Sequence, residues 1–190
     1  MLSRVFSSAV LGIDAYIVQV EVDLSSQVPS FSTVGLPDGA VRESKDRVAA
    51  AIKNSGFRFP LRRITVNLAP ADIRKEGSAF DLPIAVGILA ASGQVSAERL
   101  GDLVLLGELS LDGTLRPIRG ALPIAVGVRD TGIRGLVVPK ENAQEAGIVE
   151  GIKVYGLGSL EEVVAFLEGE VEVPPVQVDM EELFRRHRVY

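Results

Sequence analysis

Hydrophobic and polar positions along this chain follow two periods, and the switches between them mark out the elements. "SRVFSSAVLG" reads as a first strand and "IDAYIVQVEVDLS" as a second after a turn. In the second, Tyr16, Val18, Val20 and Val22 alternate with Ile17, Gln19, Glu21 and Asp23, a period of two with one wetter face. "SFSTVGL" predicts a third strand, and three strands in succession suggest an antiparallel meander.

The period then changes. In "PDGAVRESKDRVAAAIKNSGF", Val41, Val48, Ile52 and Ser55 recur at helical spacing, with Asp38 as the expected cap and Gly56 as terminator. "RRITVNLAP" predicts a fourth strand with Ile64, Val66 and Leu68 on one face. After a charged glycine loop, "AFDLPIAVGILAASG" predicts an apolar helix. Asp81 is its expected cap, which leaves Pro83 in the first turn, where a missing N–H costs nothing. "DLVLLGELSLDGTLRPIRG" predicts a hairpin about its Asp-Gly turn, and "ALPIAVGVRDTG" a helix. Strand, helix, strand and helix follow in "IRGLVVP", "KENAQEAGIV", "IKVYGLG" and "SLEEVVAFLEG". The class expected is α/β (α+β, with a mixed sheet). The regular pattern ends near Gly169, so residues 1–169 are expected to form the domain. Residues 170–190 are expected to form a linker, acidic and then basic, or an arm on the domain surface. The basic end "LFRRHRVY" is expected to lead into a further domain.

Composition narrows the chemistry. Over 190 residues, 47% are hydrophobic and 24% charged, ordinary for a globular domain. A net charge of −5 argues against a surface that coats nucleic acid throughout, but leaves room for a local basic patch. The absence of Cys removes disulfides, thiolate metal sites and cysteine nucleophiles, and fits a cytoplasmic protein. A single histidine, His187, makes a multi-histidine metal site impossible, and a Ser-His-Asp triad would depend on it. The N-terminus is not a good signal peptide, and the apolar run Leu82 to Ala91 is too short to cross a bilayer, so no membrane role is expected.

Three candidate chemistries lie in the sequence. The loop "RKEGSAFD" holds Lys75, Glu76, Gly77, Ser78 and Asp81. A Ser78–Lys75 dyad needs a lysine of lowered pKa, and on a glycine turn open to water Lys75 stays protonated. The plainer expectation makes Lys75 and Glu76 surface charges, Gly77 a turn residue and Ser78 or Asp81 a helix cap. Glu76, Asp81, Glu108 and Asp112 would make a carboxylate or metal site only if the loop and hairpin converge. No Walker or dinucleotide glycine motif is present, and Ser159 with Glu162 reads as a capping box. Finally, Arg58, Arg62, Arg63, Arg74 and Lys75 form a local basic group, either a solvated face or a contact for nucleic acid or an acidic partner.

Four stretches together carry a family likeness: "GIDAYIVQVEVDLS", "FSTVGLPDGAVRESKDRVAAAIKNSGF", "ITVNLAPADIRKEGSAFDLPIAVGILAASG" and "LGELSLDGTLRPIRGALPIA". They resemble the N-terminal domain of the ComM/YifB proteins, also described as magnesium-chelatase-like, over nearly the whole chain. The resemblance implies a Lon-protease-like fold, shared with the second domain of a ribosomal small-subunit protein and similar to the C-terminal domain of RadA-type recombination proteins. It implies a following AAA+ ATPase module that takes ATP and Mg, in a hexameric DNA branch-migration motor of natural transformation. This stretch would then be its accessory domain, partnered by that module, by other copies and by DNA, with no cofactor or metal of its own. In the proteases of this fold the nucleophilic serine falls at the position of Ala79 here. Their catalytic lysine falls, within the matching segment Arg119-Gly120-Ala121-Leu122, at Leu122. The resemblance therefore implies a vestigial loop. A serine-lysine peptidase using Ser78, or a pure protein-interaction domain, is the alternative.

Overall fold

The computed structural model describes residues 1–188, with side chains through Arg186. Strands β1 (Leu2–Leu11) and β2 (Asp14–Ser25) form a long hairpin, with Leu2 opposite Asp23 and Leu11 opposite Asp14. Gly12 makes the turn at φ 66°. As the alternation predicts, Val18, Val20, Val22 and Leu24 are buried.

The meander stops there. β3 (Ser30–Val34) does not pair with β2. It lies outside β4 (Arg63–Ala69), parallel to it, and β4 takes the place beside β2. Burial explains the order: Ile64, Val66 and Leu68 of β4 are all buried, whereas β3 is exposed at alternate residues and suits an edge. Between them come α1 (Gly39–Arg42) and α2 (Ser44–Asn54), where one helix was expected. Asp38 caps the first as predicted, its Oδ1 accepting from the Val41 N–H at 2.8 Å.

α3 (Asp81–Ala91) is buried along almost its whole length. β5 (Leu103–Leu105) joins the sheet, and β6 (Glu108–Leu109) with β7 (Leu115–Arg116) makes the small hairpin about Asp112-Gly113. α4 (Ala121–Asp130), β8 (Gly135–Pro139), α5 (Ala143–Gly147), β9 (Lys153–Leu157) and α6 (Leu160–Leu167) complete the alternation. Ser159 Oγ accepts from the Glu162 N–H at 3.1 Å, as the capping reading predicts.

The seven-stranded sheet runs β3-β4-β2-β1-β5-β8-β9. β2 is antiparallel to both neighbours, and every other pairing is parallel. The result is a mixed α/β fold. One face packs α2, α3 and α6 on Val5, Val20 and Leu105; the other packs α4 and α5 on Val104, Leu136 and Val138. Residues 170–179 run over the surface without forming a strand, and the Val176 N–H donates to the Val154 carbonyl at 2.7 Å. A helix not anticipated from the sequence, α7 (Met180–Arg188), follows, with Asp179 Oδ1 accepting from the Glu181 N–H. The His187 side chain, and Val189 and Tyr190, lie outside what is described.

Candidate functional site

The loop from Pro70 to Phe80 leaves the C-terminal end of β4 and folds under the chain that precedes α1. The Lys75 N–H donates to the Leu36 carbonyl and the Asp38 N–H to the Lys75 carbonyl, both at 2.9 Å. Asp38 also accepts from the Gly77 N–H at 3.1 Å through its second oxygen, so one carboxylate caps α1 and holds the loop. Gly77 stands at φ 88°, the left-handed turn expected of it.

Lys75 is the chief correction. It is 0% exposed, neither a surface charge nor available to a phosphate. Its Nζ donates to the Pro70 carbonyl, and burial holds its pKa below the usual lysine value, with the Asp72 charge opposing. Ser78 is half-buried and, among the described residues, shares no hydrogen bond with Lys75.

Asp81 is the second correction. It is the first residue of α3 rather than its cap, and it is 0% exposed. Arg47 of α2 grips it twice, Nε to Oδ2 at 2.7 Å and Nη2 to Oδ1 at 3.0 Å, and the Leu109 N–H donates to Oδ2 at 3.0 Å. Burial pushes its pKa up to about 6, while Arg47 and the Leu109 N–H pull it down. Asp81 therefore joins α2, α3 and the β6–β7 hairpin from inside. The other carboxylates do not converge on it: Glu76 is exposed beside Arg74, Glu108 lies near Arg116, and Asp112 accepts from Thr114 in its turn. Among the described residues no three His, Asp or Glu are placed to hold a metal ion.

The basic group divides. Arg58, Arg62 and Arg63 lie at the N-terminal end of β4, and Arg74 beyond its C-terminal end, about 20 Å away along the strand. Arg58 and Arg62 line a depression of about 500 Å³, walled by Met1, Leu24, Phe59 and Pro60 and by Leu61, which is 85% exposed, while Arg63 donates to Gln27 at 2.8 Å. None of the three arginines forms an ion pair among the described residues. Phe57 and Phe59 pack against the core.

At the other end of the strands, a cleft of about 370 Å³ opens between the end of β1, the central strand, and the segments around Ala79, Leu106 and Arg119. Tyr16 and Arg74 stand at its rim; burial, then the Glu76 charge, raises the Tyr16 pKa. Ala79 is in this wall, but Leu122 lines a different depression with Asp14, Ala15 and Pro123. The two positions matched to a catalytic pair thus do not share one cleft. Local sequence carried no sign of Arg47 or Tyr16 at these places, because their partners, Asp81 and the Arg74 carbonyl, lie on other elements.

Comparison with known proteins places this arrangement. The family model described as subunit ChlI of Mg-chelatase matches residues 20–142, and the chain is a domain of that magnesium-chelatase-like class. Competence protein ComM of Haemophilus influenzae is 45% identical over 173 residues, which are 91% of this chain and 34% of that protein. YifB of Escherichia coli is 45% identical over 169 residues, 89% of this chain and 33% of that protein. The chain belongs to the ComM/YifB family. It spans about a third of the length of these curated relatives. Lon protease 2 of Bacillus subtilis is more distant, 24% identical over 145 residues that are 76% of this chain and 25% of the protease. No helix among the described residues is long and apolar enough to cross a membrane.

Proposed function

We propose that this chain is a non-catalytic accessory domain, with a Lon-protease-like fold, of a cytoplasmic ComM-like motor that moves DNA branches at the expense of ATP. In the whole protein an AAA+ module supplies ATP and Mg chemistry and a hexameric ring. This domain supports that ring or engages DNA. The observation that carries the DNA part is the corner formed by Arg58, Arg62 and Arg63, three exposed guanidiniums without acidic partners among the described residues. Such a group contacts phosphates and carries no base identity. Lys75, being buried, takes no part, and Arg74 is too far along the strand to extend the same footprint.

The test is an anisotropy titration of the full-length oligomer against duplex, single-stranded and branched DNA over a range of salt. Log affinity on duplex should fall with log salt by about 0.9 per phosphate contacted. The Arg62→Ala/Arg63→Ala variant should bind more weakly and with a shallower slope by one to two contacts. Equal affinities and slopes would remove this corner from the DNA path and favour a purely protein-binding domain, for which the same variant should weaken ring assembly in sedimentation.

One observation favours a second reading, a serine-lysine peptidase through Ser78: Lys75 is buried with a lowered pKa, as a general base would be. Its ammonium, however, is committed to Pro70. Incubation with unfolded protein should therefore yield no cleavage; cleavage abolished by Ser78→Ala would establish the peptidase.

A further inference from the structure

The strand β1 has more edge than the sheet uses. All ten of its residues pair with β2. On its other side it pairs with the three-residue β5 only at Phe6 opposite Val104, with the Ser7 hydroxyl donating to the Leu105 carbonyl at 2.9 Å. The chain then turns away, and the Leu106 N–H donates to Val137 of β8. Beyond that point Ser8–Leu11 make no backbone hydrogen bond outside the hairpin among the described residues. Alternate N–H and C=O groups of this segment face the 370 Å³ cleft. An unpaired edge of this kind is a template for an added strand.

The position has a second merit. The chain leaves β1 toward β2 on one side and leaves β5 toward β8 on the other. In open α/β sheets such a switch point, at the carboxyl ends of parallel strands, is where the crevice for a ligand forms. Here the exposed Val10 and the partly exposed Ile73 and Ala79 lie over the buried Phe80, Leu106 and Ile124, and side chains of an added strand would meet that apolar surface at every second residue. The charge at the rim decides what else the occupant carries. Arg74 is partly answered by Glu76 at 3.7 Å, but Arg119 makes no ion pair or hydrogen bond among the described residues and is exposed.

We propose that this cleft docks an extended peptide segment of another polypeptide. The segment adds alongside Ser8–Leu11, places alternate apolar side chains against the cleft wall and presents an acidic side chain to Arg119. Ala79 stands in the wall with no nucleophilic group, so the peptide is held and not cut. The inference rests on the free edge and the rim charge, and is independent of any DNA contact at the other end of the strands.

The experiment is selection of a displayed library of nine-residue peptides on the 190-residue chain, followed by 15N NMR titration with the enriched peptide made synthetically. Enriched sequences should alternate apolar residues and include Asp or Glu. They should shift the amide signals of Ala9, Val10, Leu11 and Gly12, and return from incubation intact. Arg119→Glu should weaken binding at least tenfold. N-methylation of alternate peptide amides should abolish it while leaving side chains in place. Arg119 is exposed and forms no ion pair or hydrogen bond among the described residues, so the variant's melting curve should match wild type. The DNA titration should be unchanged by Arg119→Glu, which separates this site from the basic corner. No enrichment over an unrelated protein, shifts confined to Arg58–Arg63, affinity indifferent to Arg119→Glu, or a cleaved peptide would each overturn the proposal.

Discussion

Asp81 is a carboxylate with no exposed surface and three donor bonds to it. Its pKa stands at about 6 against an ordinary 3.8, so the folded chain holds this proton more tightly than the unfolded chain does. The stabilisation from that difference is full below about pH 4 and is lost as pH rises through about 6. The difference of roughly two units corresponds to about 3 kcal/mol at most. Subtracting the Asp81→Asn stability curve from that of wild type should therefore give a downward slope from pH 4 to pH 6 and a flat line above pH 7. A difference that is flat throughout would mean that Arg47 keeps Asp81 ionised. Arg47→Ala leaves the carboxylate buried without its partner and should cost about 3–5 kcal/mol by denaturant melt at pH 7. Lys75 offers a contrast. Lys75→Met keeps the buried stem and removes the desolvated charge, and should stay within about 1 kcal/mol of wild type; Lys75→Ala opens a cavity and should cost about 2–4 kcal/mol. Neither buried charge was legible in the sequence. Asp81 meets a guanidinium 34 positions earlier, and Lys75 is covered by the segment Leu36–Asp38. A charged residue beside a glycine reads as exposed until the distant chain that covers it is known.

At the scale of elements, what depends on neighbours in sequence was readable. Period two located the buried valines of β2, and Asp38 and Ser159 cap helices because a side-chain oxygen there needs only the next turn's N–H groups. What depends on pairing was not. β3 and β4 are both short strands, and the packing of Ile64, Val66 and Leu68 puts β4 inside. The crossing from β3 into the helices has a strict requirement. Gly35 stands at φ 106°, and a Cβ there would lie 2.1 Å from the Leu68 carbonyl oxygen. Backbone cannot yield as a side-chain tip does. Gly35→Ala should therefore cost more than about 3 kcal/mol or prevent folding, read as a fall in the urea midpoint or loss of soluble protein.

For the molecule as a whole, the mixed α/β class was legible from the order of strands and helices, and the division of the basic group was not, since spacing along the chain does not say which end of a strand a residue occupies. Val173 and Val176 pack on the two sides of the sheet, and each would contribute about 1 kcal/mol by burial. Truncation after Gly169 should lower the melting temperature by several degrees and leave the transition cooperative. A broad or absent transition would make residues 170–179 part of the fold.

The central place of β1 also bears on how the chain is made. It precedes β2 to β9 in the chain, yet Ser7 meets its partner Leu105 across 98 positions. The β1–β2 hairpin can close early, because its loop is short, but the other side of β1 must wait for over half the chain to leave the ribosome. During that interval the nascent chain carries an unpaired strand edge next to a row of buried-type valines, the kind of surface that chaperones hold and that aggregating chains share. Arrival of β5 is thus the step that first covers this side of β1, at Phe6 and Ser7.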